Sequence, residues 1–420
     1  MFRVIALASL VALAGCHRQA DAPGEAPTGL NVDPGDGQVT VSWNSQPGLT
    51  YWIFFRAGST VTAAAPGVPL IFDARSPRVV APLANGTQYA FVMNATNQDS
   101  RAGPSTPVFL AVPRLAGANW TSGAPLGSPP QNLNGVAFGT VVVSGISTAR
   151  LVAVGDSGTI FAGDYNYTNV IPPGVTAWTQ ATSIPAGFVS DLSAVMFSAQ
   201  FIALGTDGSV LKSPDGNTWT AAASVPSGGM NSIAFGATTY VAVGDGGKIF
   251  TSPDLVTWTA VSTTGNDLYN VSFLNGSFVA TGANGTLLTS ADASIWTPQI
   301  SNTPNALRGV TYGTGPAVGA SAQYVVVGDS GTIVTSANGT SWSATTLPGL
   351  PNLRAIRFGT RFVAVGQEVV VGQGAAVVYS DDAINWSLSS VPGSADLASI
   401  IFTPAMYLAV GGSGANAVSK

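Results

Sequence analysis

Residues 232–261 read SIAFGATTYVAVGDGGKIFTSPDLVTWTAV, and this stretch decides the fold. Ser232-Ile233-Ala234-Phe235-Gly236 has the alternation of a strand. Tyr240-Val241-Ala242-Val243 is a second strand, and Gly244-Asp245-Gly246-Gly247 follows it as a tight turn in which glycine supplies positive φ. Lys248-Ile249-Phe250-Thr251 makes a third strand. Ser252-Pro253-Asp254 then turns the chain into a fourth, Thr257-Trp258-Thr259-Ala260-Val261. Short connections force each strand to lie antiparallel to the one before it, so the segment is a four-stranded meander.

The same grammar repeats outward from this segment. Of the nine tryptophans, Trp178, Trp219, Trp258, Trp296, Trp342 and Trp386 follow one another at spacings of 41, 39, 38, 46 and 44 residues. A period of about 40–50 residues is that of propeller blades. The first strand recurs seven times, as Val136-Ala137-Phe138, Val195-Met196-Phe197, Ile233-Ala234-Phe235, Val271-Ser272-Phe273, Val310-Thr311-Tyr312, Ile356-Arg357-Phe358 and Ile400-Ile401-Phe402. The last copy runs out before its Trp strand, whereas Trp120 stands alone before the first copy. Ring closure follows as an expectation: the segment around Asn119-Trp120-Thr121 adds as the outer strand of the last blade and hides two sheet edges. The expected fold is all-β, with a seven-bladed β-propeller over 117–420.

Composition excludes several chemistries. Only 8% of residues are charged, and 15 basic against 20 acidic residues give a net charge of −5, so nucleic acid is not an expected partner. Glu and Lys are too few for a coiled coil or helical bundle. Cys16 is the single cysteine and His17 the single histidine. Everything downstream lacks both side chains, which removes a thiol enzyme, a His-based triad, a disulfide framework, a Cys/His zinc site and haem with a His or Cys axial ligand. No metal and no cofactor are expected.

Residues 1–16 read MFRVIALASLVALAGC: one positive charge, an apolar run too short to span a bilayer, then small residues before cysteine. The ending Leu13-Ala14-Gly15-Cys16 resembles a bacterial lipobox, which implies lipidation of Cys16 and attachment in the cell envelope. His17 stands where an Asp would imply inner-membrane retention, so the outer membrane is expected. Residues 17–26 read as a tether. Over 27–113, runs such as Gln38-Val39-Thr40-Val41-Ser42-Trp43, Tyr51-Trp52-Ile53-Phe54-Phe55 and Gln88-Tyr89-Ala90-Phe91-Val92-Met93 alternate between turn residues. About 90 residues of this pattern suit a β-sandwich. Pro27, Leu30, Val32, Val39, Val41, Trp43 and the segment Leu83–Tyr89 resemble a fibronectin type III domain, whose usual role is as spacer or adhesion module.

The turn before each repeat Trp also carries a resemblance. Ser213/Asp215/Trp219, Ser252/Asp254/Trp258, Ser290/Asp292/Trp296, Ser336/Asn338/Trp342 and Ser380/Asp382/Trp386 look like Asp-boxes, one residue shorter than the usual spacing to Trp. The repeats resemble sialidase-type propellers and, more closely, photosystem II stability/assembly-factor-like propellers, which implies a scaffold or assembly role. A sialidase would bring an arginine triad with an Arg-Ile-Pro segment and a Tyr–Glu pair. No Arg-Ile-Pro occurs, and Glu368 is the only glutamate of the repeats. Asp156, Asp245 and Asp329 recur once per blade, which spreads them around the ring and does not gather the six to eight oxygens that calcium takes.

Aligning the first strands places one equivalent residue per blade at the mouth of the central channel: Asn134, Ser193, Asn231, Tyr269, Arg308, Arg354 and Ala398. Arg308 and Arg354 fall on adjacent blades, with Arg357 further along the same strand. An arginine pair there would hold a carboxylate or phosphate bidentately, or would pair with Asp396, Asp191 or Asp267 nearby. The expectation is a monomeric, non-catalytic, lipid-anchored envelope protein that binds a protein or glycan partner through Arg308, Arg354, Arg357, Tyr269, Asn231 and Asn134. The alternative is a sialidase-like glycan-active or glycan-binding propeller.

Overall fold

The structure, a computed structural model, describes residues 21–420 apart from 64–66, 98–100, 144, 167–173, 176, 262–264, 369–373, 392, 394 and 405. The export segment and Cys16 lie outside the described residues. The described chain is β throughout, built as nine sheets, with helical geometry confined to single 3-10 turns. Two compact units emerge. One gathers the described parts of 1–32, 41–78 and 87–112, and the other gathers 33–40, 79–86 and 113–420.

Segment 232–261 folds as its pattern requires. Met230–Gly236, Thr239–Gly244, Ile249–Ser252 and Thr259–Val261 pair in that order as an antiparallel meander. One difference is physical. Trp258 precedes the fourth strand and does not belong to it. Its indole N–H donates to the Ala223 carbonyl at 3.0 Å, whereas Trp219, Trp296, Trp342 and Trp386 of the sister sheets turn back to a carbonyl three residues earlier, as Trp219 does to Gly216 O at 3.1 Å. The turn itself is held by its acid. Asp254 accepts from the N–H of Val256 and Thr257, and Ser252, fully buried, accepts from the N–H of Leu255 at 2.9 Å. A carboxylate two residues after a serine thus absorbs the N–H groups that a tight turn leaves unpaired.

The repeats supply the innermost strands Leu133–Val143, Leu192–Ser198, Met230–Gly236, Leu268–Leu274, Leu307–Thr314, Leu353–Phe358 and Leu397–Phe402. Each neighbours the next, and the last neighbours the first, so the inner strands close on themselves. The apolar core lies between sheets. The closing interface buries Leu133, Val136, Leu151 and Phe161 of the first sheet against Met406, Leu408 and Val410 of the last. Burial of each such side chain stabilises by about 1.5–3 kcal/mol, so sheet stacking dominates the stability of the unit.

A second device locks neighbouring sheets. Gly139, Gly236, Gly313 and Gly359 follow the aromatic residue of their inner strands, and each receives the aromatic ring of the next sheet. A Cβ on Gly313 would lie 2.2 Å from the Phe358 ring. The ring is sealed at the expected place: Thr121–Ser122 pairs with Asn416–Ser419 as outer strand of the last sheet, with Ser122 opposite Ala417 and Thr121 opposite Val418.

The smaller unit carries the sheet Leu70–Ala74, Thr50–Ala57, Tyr89–Thr96, Phe109–Ala111, in that spatial order. Ile53, Phe91 and Met93 are fully buried on one of its faces. Asn31–Gly35, Gln38–Ser42 and Arg78–Val80 form a three-stranded sheet.

Candidate functional site: an axial cavity

The inner strands open with the same irregularity, and it builds the site. In the fifth repeat Leu307 pairs with Gly328 and Gly309 with Val327, so Arg308 is an extra residue opposite no partner. The same register shift leaves out Ser193, Asn231, Tyr269, Arg354 and Ala398. The first strand shifts at the same level, beside Asn134. A bulge takes a side chain out of the ladder and re-aims it. Here it turns one residue per sheet toward the axis. Glycine at the end of the second strand makes room for the bulge: a Cβ on Gly328 would sit 2.1 Å from the Ala306 carbonyl.

Together these residues line a cavity of about 360 Å³. All seven aligned positions and Arg357 are on its wall, joined by backbone and side chains of the inner strands. The residues lining it include no carboxylate, cysteine or histidine.

The polar groups of the wall are mostly committed. Asn134 donates to Asp156 at 2.8 Å and to the Leu192 carbonyl, and Asn231 does the same to Asp245 at 2.9 Å and the Leu268 carbonyl. These asparagines tie a sheet to its own 3-10 turn and to its neighbour. Arg308 occupies the equivalent position and makes the equivalent bond. Its Nε donates to Asp329 Oδ1 and its second nitrogen to Oδ2 at 2.8 Å. The guanidinium also lies over the Tyr269 ring, 4.9 Å from its centre. The bonds to Asp329 raise the Arg308 pKa above its ordinary value and outweigh its partial burial. Arg308 is therefore neutralised locally, and its partner is Asp329 of its own sheet. Asp191 and Asp267, which the sequence offered as counter-ions, accept instead from the backbone N–H groups of Ser157 and Gly246 in the preceding sheet, at 2.8 and 2.7 Å. Asn352 accepts likewise from Ser330, and Asn132 from Ser413, the latter bond joining last sheet to first.

Arg354 and Arg357 differ from Arg308. Arg354 reaches Asp396 at a loose 3.6 Å, and its buried Nε has no hydrogen-bond partner. Arg357 makes no hydrogen bond and no ion pair with any described residue. Water reaches it along the axis, yet protein surrounds it, and the loss of bulk solvent lowers its pKa from the ordinary arginine value. It still carries its charge at neutral pH. Its counterparts on the other strands are Ala137, Met196, Ala234, Ser272, Thr311 and Ile401, all uncharged, and of these Met196, Ala234, Ser272 and Ile401 line the cavity.

Sequence reasoning did not single out Arg361. It donates through two nitrogens to Asp381 at 2.7 Å each, stacks on Tyr379 and is 8% exposed. With two guanidinium nitrogens on Asp381 and its backbone N–H and carbonyl on the Tyr407 hydroxyl, it is a structural clamp. Asp381 next to Asp382 was the available signal.

No family model and no curated protein matches the sequence. Solved structures do. The WD40 β-propeller domain of Doa1 superposes with a TM-score of 0.52 at 11% identity, covering 72% of this chain and 97% of that one. YCF48 from Cyanidioschyzon merolae superposes with a TM-score of 0.50 at 16% identity, covering 72% of this chain and 98% of that one. At such identities the likeness is one of fold alone, and the fold it shows is the β-propeller.

Proposed function

We propose that the protein is a non-catalytic scaffold of the cell envelope, held by lipid on Cys16, whose propeller captures a partner protein through the axial cavity. We read the ring as seven-bladed, its peripheral turns as Asp-boxes, and the smaller unit as a fibronectin type III-like spacer. Doa1's WD40 domain and YCF48 share the propeller fold, and this reading takes from them the fold alone.

Arg357 is the observation that carries the proposal. A charged guanidinium that no described residue pairs, in a cavity that water reaches, leaves its donors open to an anion. Arg354, loosely paired, lies at the mouth above it. A carboxylate from the partner, inserted along the axis, would satisfy both. Charge-assisted hydrogen bonds of this kind are worth about 1.5–3 kcal/mol, or roughly ten- to a hundredfold in affinity. A cavity wall without a carboxylate pair, a thiol or an imidazole favours capture over hydrolysis.

The test uses the full chain as bait on detergent-solubilised envelopes, beside the double variant Arg354→Ser/Arg357→Ser, which leaves the Arg308–Asp329 pair intact. A partner captured by the wild type and weakened at least tenfold by the double variant is the expected outcome. Equal capture overturns the site, and turnover of fluorogenic glycosides by the wild type overturns the non-catalytic reading.

A further inference from the structure

The smaller unit leaves one sheet face with uncharged, apolar margins. Register puts Trp52, Phe54 and Arg56 on this face, opposite Asn94, Val92 and Ala90, with Leu70 beside Phe54 and Leu110 beside Ala90. Phe72 joins them, its ring packed edge-on against Trp52 at 4.8 Å. The middle of the face is covered: Phe54, Ala90 and Val92 are buried with Val61. The two outer strands are not. Phe72 is 62% exposed and Leu110 49%, and Leu70, Val108 and Val112 are exposed with them. The sequence over these margins is unusual for a water-facing surface, because neither 57–72 nor 102–113 contains a charged residue. Ordinary protein surface is about 25–35% charged.

Chain length says what lies against this face. The first described residues are already docked: Asn97 donates from its side chain to the Asp21 carbonyl at 2.6 Å, and Pro23 packs on Gly103. Trp52 stands beside that point, its indole N–H bonded to Thr96, the residue before Asn97. Asp21 is five positions after Cys16, a reach of at most about 18 Å. A lipid on Cys16 would hold the smaller unit within that distance of the bilayer, and the apolar margins begin next to the attachment point. An indole with one bonded polar edge beside exposed Phe and Leu is the composition that settles at a membrane–water interface.

We infer that the face bearing Trp52, Leu70, Phe72 and Leu110 rests in the headgroup region of the membrane, so that the unit is a membrane-seated base and the lipid is its first attachment, not its only one. The inference rests on lipidation of Cys16. Arg56 on the same face meets the headgroups, and anionic lipid strengthens the contact.

The experiment uses the full chain produced with its export segment, reconstituted in vesicles of phosphatidylethanolamine and phosphatidylglycerol (3:1) carrying brominated acyl chains. Mass spectrometry reports whether Cys16 carries lipid. A quenchable tryptophan component that disappears in Trp52→Phe supports the inference. A lipidated chain whose fluorescence is unquenched overturns it and leaves the anchor standing. In parallel, a chain beginning at residue 17 is floated with the same vesicles, and Phe72→Glu/Leu110→Glu lowers its bound fraction at least fivefold. Both positions are exposed, and an unchanged melting curve confirms the fold of that variant. If Cys16 proves unmodified, flotation decides alone: binding that needs Phe72 and Leu110 supports the seated face, and no binding overturns it.

Discussion

Replacing Gly313 by alanine tests the idea that aromatic rings seated on glycine lock one sheet to the next. In an exposed strand this change removes unfolded-state freedom and stabilises by about 0.4–1 kcal/mol when the backbone tolerates it. Gly313 has an ordinary strand backbone, so the same gain is available. Space is not. The new methyl would sit 2.2 Å from two atoms of the Phe358 ring, where carbon atoms at optimal separation stand about 3.5–4.0 Å apart. The ring must retreat by more than 1 Å, and it is pinned from behind by Phe362, 4.8 Å away centre to centre. Overpacking of this kind costs about 1–3 kcal/mol. It outweighs the entropic gain, and the expected net is a loss of about 1–2 kcal/mol, or roughly 2–8 °C in melting temperature for a unit of this size. The assay is thermal and urea denaturation of Gly313→Ala, Phe358→Leu and the double variant. The methyl should cost at least about 1 kcal/mol less when Phe358 is already leucine, because contacting residues couple. A Gly313→Ala chain that melts higher than wild type, or whose cost is the same with and without Phe358, refutes the interlock.

Two other outcomes follow from the peripheral turns and the seal. Hydrogen bonds from the Ser294 hydroxyl and the N–H groups of Ser294 and Ile295 lower Asp292 to about 2, and in Asp382 partial burial pushes up but the Asn385 and Ile384 donors prevail, again to about 2. Carboxylates held below their unfolded value of about 3.9 stabilise fully above that pH, and the contribution fades as pH falls through about 2. Melting temperature should therefore be flat down to about pH 4 and then fall. Asp382→Asn should match wild type at pH 7 and show a shallower fall, since Asn338 holds the equivalent turn through Thr340 and Ser341. Deleting residues 1–122 removes the strand that covers Asn416–Ser419. An open edge recruits other chains, so size-exclusion chromatography should show oligomers where the intact chain runs as one species; a purely monomeric deletion variant contradicts the sealing role.

Much of this architecture was legible because its residues repeat. Phe235 and Val243 recur with one period, and a period long enough for four strands leaves few alternatives. The orphan Trp120 located the seal. The axial ring was found by alignment, yet its chemistry was not, and the bulge explains why. Arg308 is bonded to Asp329, twenty-one residues on, because the extra residue turns toward the axis exactly where the next hairpin returns. Spacing shows that an arginine and an aspartate stand at these two positions of the fifth repeat. It does not show that a register shift makes them face each other, so Asp191 and Asp267 looked equally good as partners. The isolation of Arg357 was hidden for the same reason: being unpaired is a property of every neighbouring side chain, and no short motif records it. Tryptophan was legible as a marker, yet Trp219, Trp258, Trp296 and Trp342 stand just before the strands expected to hold them, whereas Trp386 opens its strand.

The seal has a mechanical side. Its ladder pairs Thr121 and Ser122 with Val418 and Ala417, and the N–H groups of Gly123 and Leu126 add bonds to the Asn416 and Gly414 carbonyls. If the amino end is fixed to a surface and a bound partner is pulled away, tension that has passed the strands of residues 31–111 enters the repeats through the Gly117 bond to Ser419 and the Thr121–Ser122 pairing. A ladder of two residue pairs, as short as any in the ring, is thus placed where the load enters the repeats. It would part first and open the last sheet while the stacked sheets hold, which makes it a fuse: strain at the anchorage is relieved at one repairable joint and not in the core.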